Sequence, residues 1–156
     1  MDTIRLLTIG NSFSNNALTY LEPIADGSDA VRFEVGRASL GGCSLEKHWN
    51  LAAYTARQTD FQTYTLDAER RANLQQALQA EGWDVVTLQQ VSHRSWLRES
   101  FEPWLGNLVG LVRERAPGAK LRLHQTWAYR TDSPFYPEQG LTQERMHVRI
   151  RQNYLH

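Results

Sequence analysis

The chain has 156 residues, 41% of them hydrophobic and 22% charged, which is the composition of one globular domain. Seventeen basic residues balance seventeen acidic residues, so no general electrostatic field favours binding to nucleic acid or to an anionic membrane. The one cysteine, Cys43, excludes an internal disulfide and a metal site built from cysteine pairs.

The apolar residues follow helical and strand periods in turn, which predicts an alternation of strands and helices. Residues 3–9 form a nearly continuous apolar run closed by Gly10, as expected of a strand buried on both faces. Strands are expected over residues 3–9, 31–35, 83–88 and 120–126. Helices are expected over residues 15–25, 45–57, 65–80, 102–115 and from 142 onward.

Strands joined through helices predict a parallel sheet covered on both faces, which is a three-layer α/β/α sandwich. Ligand sites of such folds lie at the carboxyl ends of the strands, where the strand order switches. The loops expected at that edge cover residues 10–16, 37–44, 89–94 and 127–140.

Residues 154–156 still follow a helical pattern, and no glycine or proline ends it. A crossover helix normally leads to another strand. We therefore expect residues 1–156 to form a single domain that lacks its C-terminal part. Such a domain has an unpaired sheet edge, through which two copies are expected to dimerise.

Ser12 lies between the first strand and the helix that follows, in the segment Gly10-Asn11-Ser12-Phe13-Ser14. Free backbone N–H groups at such a turn stabilise the negative charge that forms when a serine attacks a carbonyl. Ser12 and Ser14 are equally well explained as helix caps. In the next loop, Gly41-Gly42 either brings an N–H group close to a ligand or serves a tight turn.

Other polar residues are weaker candidates. Cys43 is a nucleophile candidate with His48, although a lone cysteine is more often a small buried hydrophobic residue. Gln89 and Gln90 follow the third strand, where a carboxamide either donates into a site or bonds a loop. The scattered histidines are each expected to be structural or solvated: His48, His93, His124, His147 and His156.

Four segments in this order, TIGNSFS, GGCSLEKHW, WDVVTLQQVSHRS and HQTWAY, resemble a family of unknown function within the SGNH/GDSL hydrolases. The resemblance covers nearly the whole chain. It implies a flavodoxin-like parallel sheet of at least four strands and a serine esterase that needs no metal or cofactor. The implied nucleophile is Ser12, and the implied oxyanion hole consists of the N–H groups of Ser12 and Gly42 and the side chain of Gln90. The implied substrate-binding residues are Asn11, Gln89, Trp127 and Tyr129.

The chain departs from the superfamily pattern at three points. Asn11 stands where the Gly-Asp-Ser motif has aspartate, and Gln90 stands where the usual donor is asparagine, with Gln89 as the other candidate donor. No aspartate has a histidine three residues later, so the D-x-x-H block that carries the base is absent. The chain is therefore either part of a longer hydrolase or a protein that has lost catalysis.

The resemblance thus implies a bacterial-type SGNH esterase for a small acyl ester, such as a carbohydrate O-acetyl ester. Trp127, Tyr129 and Tyr136 either pack on sugar rings or only pack their own loop. The alternative is a non-catalytic carbohydrate-binding module on the same fold. No apolar stretch approaches the roughly 20 residues that span a bilayer. No signal peptide is visible, so with Met1 as the natural start we expect a cytoplasmic protein.

Overall fold

The computed structural model describes residues 2–28 and 30–155, in which helices flank a four-stranded parallel sheet. The strands are β1 (Asp2–Gly10), β2 (Val31–Ser39), β3 (Tyr64–Thr65), β4 (Arg71–Ala72), β5 (Val85–Leu88) and β6 (Lys120–Leu123). The helices are α1 (Ser12–Leu18), α2 (Leu21–Asp26), α3 (Leu45–Thr55), α4 (Leu74–Gln79), α5 (Trp104–Arg115), α6 (Phe135–Gln139) and α7 (Gln143–Leu155).

The sheet has the order β2-β1-β5-β6, and every neighbouring pair is parallel. The predicted α/β fold with a parallel sheet is confirmed. The chain leaves β1 toward β2 on one side and later returns to β5 on the other side. The strand order therefore switches at the carboxyl ends of β1 and β5, where Gly10 and Gln89 lie.

The helix predicted over residues 65–80 is wrong in its first half. These residues form an antiparallel β3–β4 hairpin, and α4 begins only at Leu74. The Asp67 carboxylate accepts the backbone N–H groups of Glu69 and Arg70 and so closes the hairpin turn. Asn73 then forms a capping box with Gln76, which fixes the start of α4. Turn and cap chemistry here outweigh the helix propensity of the segment.

The helix predicted over residues 15–25 is divided into α1 and α2. Pro23 has no backbone N–H and would disrupt a continuous helix, whereas in the structure it lies in the first turn of α2, where a proline is tolerated. The long loop over 127–140 also contains a short helix, α6, which ends at Gly140 with a φ of 58°. The turn predicted at residues 26–29 is described only up to residue 28, because Asp29 lies outside the described residues.

Two hydrophobic clusters hold these elements together. The main cluster joins the sheet to α3, α4 and α5, with Leu7, Ile9 and Leu88 fully buried. A second cluster joins α6 to α7 through Tyr136, Met146 and neighbouring side chains. None of the helices over the described residues is both long and apolar enough to cross a bilayer.

Candidate active site

The turn after β1 presents Ser12 to solvent. Asn11 is the N-cap of α1, and its Oδ1 accepts the backbone N–H of Phe13 at 3.1 Å. Ser12 is therefore the first residue of the helix, and it is exposed. The sequence left open whether Ser12 or Ser14 caps the helix, and the structure assigns that role to Asn11 instead.

Asn11 is buried, and its backbone N–H and both polar atoms of its side chain are hydrogen-bonded. Its backbone N–H donates to Gln89 Oε1 at 3.3 Å, and its Oδ1 accepts from Gln89 Nε2 at 3.0 Å. Its Nδ2 donates to the carbonyl of Cys43 at 3.0 Å. Asn11 is 1% exposed and Gln89 is 0% exposed, so both side chains lie beneath the surface. Both were predicted to bind substrate, whereas in the structure both side-chain amides are hydrogen-bonded to other protein groups.

The Gly42 loop lies beside this turn because Asn11 holds the carbonyl of Cys43. Gly42 has a φ of 62°, a left-handed conformation that favours glycine. Among the residues that the structure describes, neither the N–H of Ser12 nor that of Gly42 has a hydrogen-bond acceptor. Both N–H groups are therefore available to donate to a ligand, as the N–H groups of an oxyanion hole do.

Gln90 points into the protein and not toward Ser12. Its Nε2 donates to the carbonyl oxygen and to Oγ of Ser100, at 2.7 and 3.1 Å. Its Oε1 accepts the backbone N–H groups of Leu45 and Val91. This bonding differs from the predicted oxyanion role, because both amide hydrogens are already donated. The side chain instead ties the loop after β5 to the start of α3.

Cys43 and His48 do not form a nucleophile pair. Cys43 is fully buried, its Sγ lies 3.7 Å from the carbonyl of Ser44, and burial raises the pKa of its thiol to about 11. A thiol of that kind is inert near neutral pH. The interpretation that the sequence favoured, Cys43 as a small buried hydrophobic residue, matches this environment.

His48 bonds the end of β1, directly before the turn that carries Ser12. Its Nε2 lies 2.9 Å from the carbonyl of Gly10, and its Nδ1 lies 2.8 Å from the hydroxyl of Tyr64. A carbonyl only accepts, so Nε2 carries the proton and Nδ1 accepts from Tyr64. Burial lowers the pKa of His48 to about 4, so this neutral form is the one present at neutral pH.

Ser14 and His124 were not singled out as partners by the sequence. Ser14 is fully buried and its hydroxyl donates to Gln89 Oε1. The Nδ1 atom of His124, just beyond β6, lies 3.5 Å from Ser14 Oγ. Burial lowers the pKa of His124 as well. Only contacts between distant segments reveal this pair, since residues 14 and 124 have no local signal that relates them.

The aromatic residues of the 127–140 loop differ in exposure. Trp127 is 45% exposed and packs on Phe13, the residue after Ser12, with ring centroids 4.3 Å apart. Tyr129 is half-buried; its hydroxyl lies 2.8 Å from Ser92 Oγ, and its ring packs edge-on against Phe135. Tyr136 is buried and donates to the carbonyl of Tyr129. Tyr136 thus packs its own loop, and Trp127 is the exposed aromatic face near Ser12.

Trp127 also lines two neighbouring surface cavities. One, of about 530 Å³, extends along residues 127–130 and 132–134. The other, of about 440 Å³, is lined by Trp127, Ala128, Gln143, Glu144 and His147. Each volume is large enough for a sugar-sized group.

No imidazole over the described residues lies within hydrogen-bond distance of Ser12 Oγ. His93 and His147 are exposed, and His156 lies outside the described residues. Residues 2–28 and 30–155 also contain no cluster of three or more side chains suited to a metal ion. The turn therefore has an exposed serine and N–H groups without acceptors, and over the described residues no imidazole bonds Ser12.

The comparisons with known proteins show the family of the chain. The sequence profile of a domain of unknown function, DUF4886, matches residues 5–152. The chain belongs to the DUF4886 family. A crystal structure of a DUF4886 family protein from Bacteroides uniformis ATCC 8492 is 31% identical, with a TM-score of 0.82 over 99% of this chain. This chain spans 62% of the length of that protein.

A more distant structure shares the DUF4886 fold. It comes from Slackia heliotrinireducens, is described as "a putative SGNH hydrolase", and is 21% identical with a TM-score of 0.66. The alignment covers 99% of this chain and 73% of that one. No match was found among curated proteins. The fold of this DUF4886 chain is therefore like that of the Slackia protein.

Proposed function

We propose that this DUF4886 chain carries the nucleophile and oxyanion hole of an SGNH-type serine esterase. The observation that carries the proposal is the exposed Ser12 at the first position of α1, beside the unbonded N–H groups of Ser12 and Gly42. The likeness in fold to the Slackia protein supports it. Asn11 stands in place of the aspartate of Gly-Asp-Ser; it caps α1 and donates to the carbonyl of Cys43, next to Gly42.

In the proposed reaction, Ser12 Oγ forms a bond to the carbonyl carbon of an ester. The carbonyl oxygen becomes an oxyanion that accepts the N–H groups of Ser12 and Gly42. The carbon–oxygen bond to the alcohol then breaks, the alcohol leaves with a proton, and water hydrolyses the acyl group from Ser12. Gln90 has no role in this scheme, because Ser100 already takes both of its amide hydrogens.

The serine proton needs an acceptor with a pKa near neutrality. His124 contacts Ser14 and not Ser12, and His48 is enclosed between Gly10 and Tyr64. Neither is suited to the role. We therefore expect slow turnover by residues 1–156, with added imidazole increasing the Ser12-dependent part of the rate.

The proposed substrate is an ester of a carbohydrate alcohol, such as an O-acetyl sugar. Trp127 supports this choice, since an exposed indole held against Phe13 offers a flat apolar face of the kind that packs on a sugar ring. We expect Trp127→Ala to raise KM for an acetylated sugar far more than for a small acetyl ester. Val148→Ala is the matched control, because Val148 is also exposed and lies on α7.

The test of the proposed activity compares Ser12→Ala with the natural chain on an acetyl ester, with and without imidazole. Loss of a nucleophile typically costs several powers of ten in rate, so the alanine variant should fall to the solution background. Ser28→Ala, at an exposed turn before β2, should leave the rate unchanged. An alanine variant that keeps the imidazole-stimulated rate would refute the assignment of Ser12.

A second candidate function is carbohydrate binding without catalysis. The observation that favours it is the lack of an imidazole at Ser12 over the described residues. Sugar binding that depends on Trp127, together with no Ser12-dependent turnover under any condition above, would select this function.

A further inference from the structure

A buried chain of hydrogen bonds runs beneath the proposed nucleophile, and Gln89 is its centre. Gln89 makes four hydrogen bonds through its side chain and has no solvent exposure. Its Oε1 accepts from the backbone of Asn11 and from Ser14 Oγ. Its Nε2 donates to Asn11 Oδ1 and to the carbonyl of Gln90.

The backbone groups in this network fix which side-chain atoms donate and which accept, because a backbone N–H only donates and a carbonyl only accepts. The single hydroxyl hydrogen of Ser14 is donated to Gln89, so Ser14 Oγ accepts from Nδ1–H of His124. Asn11 Oδ1 already accepts from Phe13, so its Nδ2 faces the carbonyl of Cys43. The amide of Gln89 therefore cannot be reversed without setting acceptors against acceptors at Asn11.

This network links the end of β5 to the two turns that carry the proposed oxyanion donors. Asn11 immediately precedes Ser12, and Cys43 immediately follows Gly42. Gln89, at the end of β5, holds Asn11 by both its backbone and its side chain, and Asn11 in turn holds Cys43. A shift of Asn11 therefore moves the N–H groups of Ser12 and Gly42 relative to each other.

Gly10 leaves the space that this arrangement needs. A Cβ at Gly10 would lie 2.6 Å from Gln89 Oε1 and would also collide with Ser14 Oγ. Atoms that close cannot coexist without displacement of the polar groups. The end of β1 is thus shaped around the Gln89 carboxamide.

We propose that Gln89 is a positioning residue of the esterase site, and that it sets the geometry of the oxyanion hole through Asn11 without touching substrate. The inference rests on the proposed function, because it assumes that Ser12 and Gly42 supply the oxyanion donors. Enzyme sites lose about a hundredfold in rate when a remote change displaces reacting groups by about 1 Å. An effect of that kind is expected from a change at Gln89.

Methylboronic acid is a probe for this geometry. It forms a tetrahedral adduct with a nucleophilic serine, and its charged oxygen occupies the oxyanion hole. The binding constant of methylboronic acid therefore measures the geometry of the oxyanion hole, and it can be determined without any catalytic turnover. Calorimetry and boron NMR measure the adduct, and circular dichroism and thermal unfolding report whether each variant is folded.

Two variants of Gln89 change its hydrogen bonds in different ways. Gln89→Glu keeps the acceptor oxygen for Asn11 and Ser14 but sets a second acceptor against Asn11 Oδ1 and the carbonyl of Gln90. Gln89→Met keeps the length and neutrality of the side chain and removes all four bonds. The matched control is Gln75→Glu, whose amide bonds Ala52 between α3 and α4 and not the nucleophile turn.

Folded Gln89→Glu and Gln89→Met should each bind methylboronic acid about tenfold to a hundredfold more weakly than the natural chain. Gln75→Glu should bind it unchanged. For turnover of an acetyl ester with imidazole present, both Gln89 variants should lower kcat and leave KM nearly unchanged. Natural affinity in either folded Gln89 variant would overturn the inference.

Failure of the proposed function gives a different result. If Ser12→Ala binds methylboronic acid as well as the natural chain, the boronate does not report an oxyanion hole and both proposals fall. If binding depends on Ser12 but not on Gln89, the proposed function stands and the positioning role is refuted. If both Gln89 variants unfold, hydrogen exchange in the natural chain decides: rapid exchange of the Asn11 N–H would show that Gln89 does not hold the turn.

Discussion

At the scale of single residues, the turn between the first strand and helix was predicted from the sequence, but the bonding of the two glutamines was not. The turn could be located from the change of pattern between strand and helix, whereas the choice of Ser12 over Ser14 came from the resemblance to the SGNH/GDSL hydrolases. Gln89 and Gln90 are adjacent and alike, and their partners lie up to 78 residues away at Asn11. Which amide faces which segment depends on those distant contacts, so no local pattern distinguishes them.

His48 makes the stability of the protein depend on pH. Its pKa is about 4 in the folded state, because burial disfavours the charged ring, and about 6.5 in an unfolded chain. Between these values the unfolded chain takes up a proton that the folded protein does not, so stability falls as the pH falls from 6.5 toward 4. The loss through this group is on the order of 3 kcal/mol, at about 1.4 kcal/mol per pH unit.

Urea unfolding at pH 7.5, 6.5, 5.5 and 4.5 measures this loss. His48→Gln should be less stable than the natural chain at pH 7.5, since the bond between Tyr64 and the ring is removed. The difference between the two proteins should shrink steadily below pH 6.5. A difference that stays constant across the series would show that His48 does not titrate as its burial requires.

At the scale of elements, the strands of the sheet were predicted well and the segment over residues 65–80 was not. Strands β1 and β5 are short apolar runs bounded by polar residues, and their burial in the sheet agrees with that pattern. The β3–β4 hairpin has only two residues in each strand, and Asp67 rather than hydrophobic periodicity defines it. The many helix-forming residues in this segment therefore led to the wrong prediction of a helix where the hairpin lies.

Strand β2 depends on a close approach between Gly36 and Trp83. A Cβ at Gly36 would lie 2.5 Å from Cη2 of Trp83 and 3.1 Å from a methyl group of Leu66. We expect Gly36→Ala to destabilise the protein by about 1–3 kcal/mol, because the ring is held in the core by its bond to Ala77. Chemical denaturation of the two proteins measures the difference.

Gly110 is the matched control for this prediction. It is exposed in the middle of α5, and a Cβ there meets nothing within 4 Å. Gly110→Ala should stabilise the protein by up to about 1 kcal/mol, since alanine is the better helix former. Equal effects of the two substitutions would contradict the packing described at Gly36.

At the scale of the whole molecule, β6 is an outer strand of the sheet and pairs only with β5 over the described residues. Its Leu123 is 39% exposed. An outer strand with free backbone groups and an exposed leucine favours pairing with a second copy. We expect the protein to associate with increasing concentration, and light scattering after size-exclusion chromatography measures its mass.

Leu123→Lys should reduce that association, because a charge on an outer strand opposes strand pairing. Leu155→Lys removes an equally apolar side chain that is 70% exposed on α7, and it should leave association unchanged. A mass that stays monomeric at every concentration, or that responds to Leu155→Lys alone, would exclude β6 as the contact.

We propose that Ser12 is a nucleophile whose oxyanion is held by the N–H groups of Ser12 and Gly42. A crystal structure of the protein with methylboronic acid tests it most directly. We predict a bond from Ser12 Oγ to boron, with one boronate oxygen about 2.7–3.1 Å from both nitrogens. Boron bonded to another residue, or a Ser12 adduct whose oxygens avoid the N–H of Gly42, would contradict the claim.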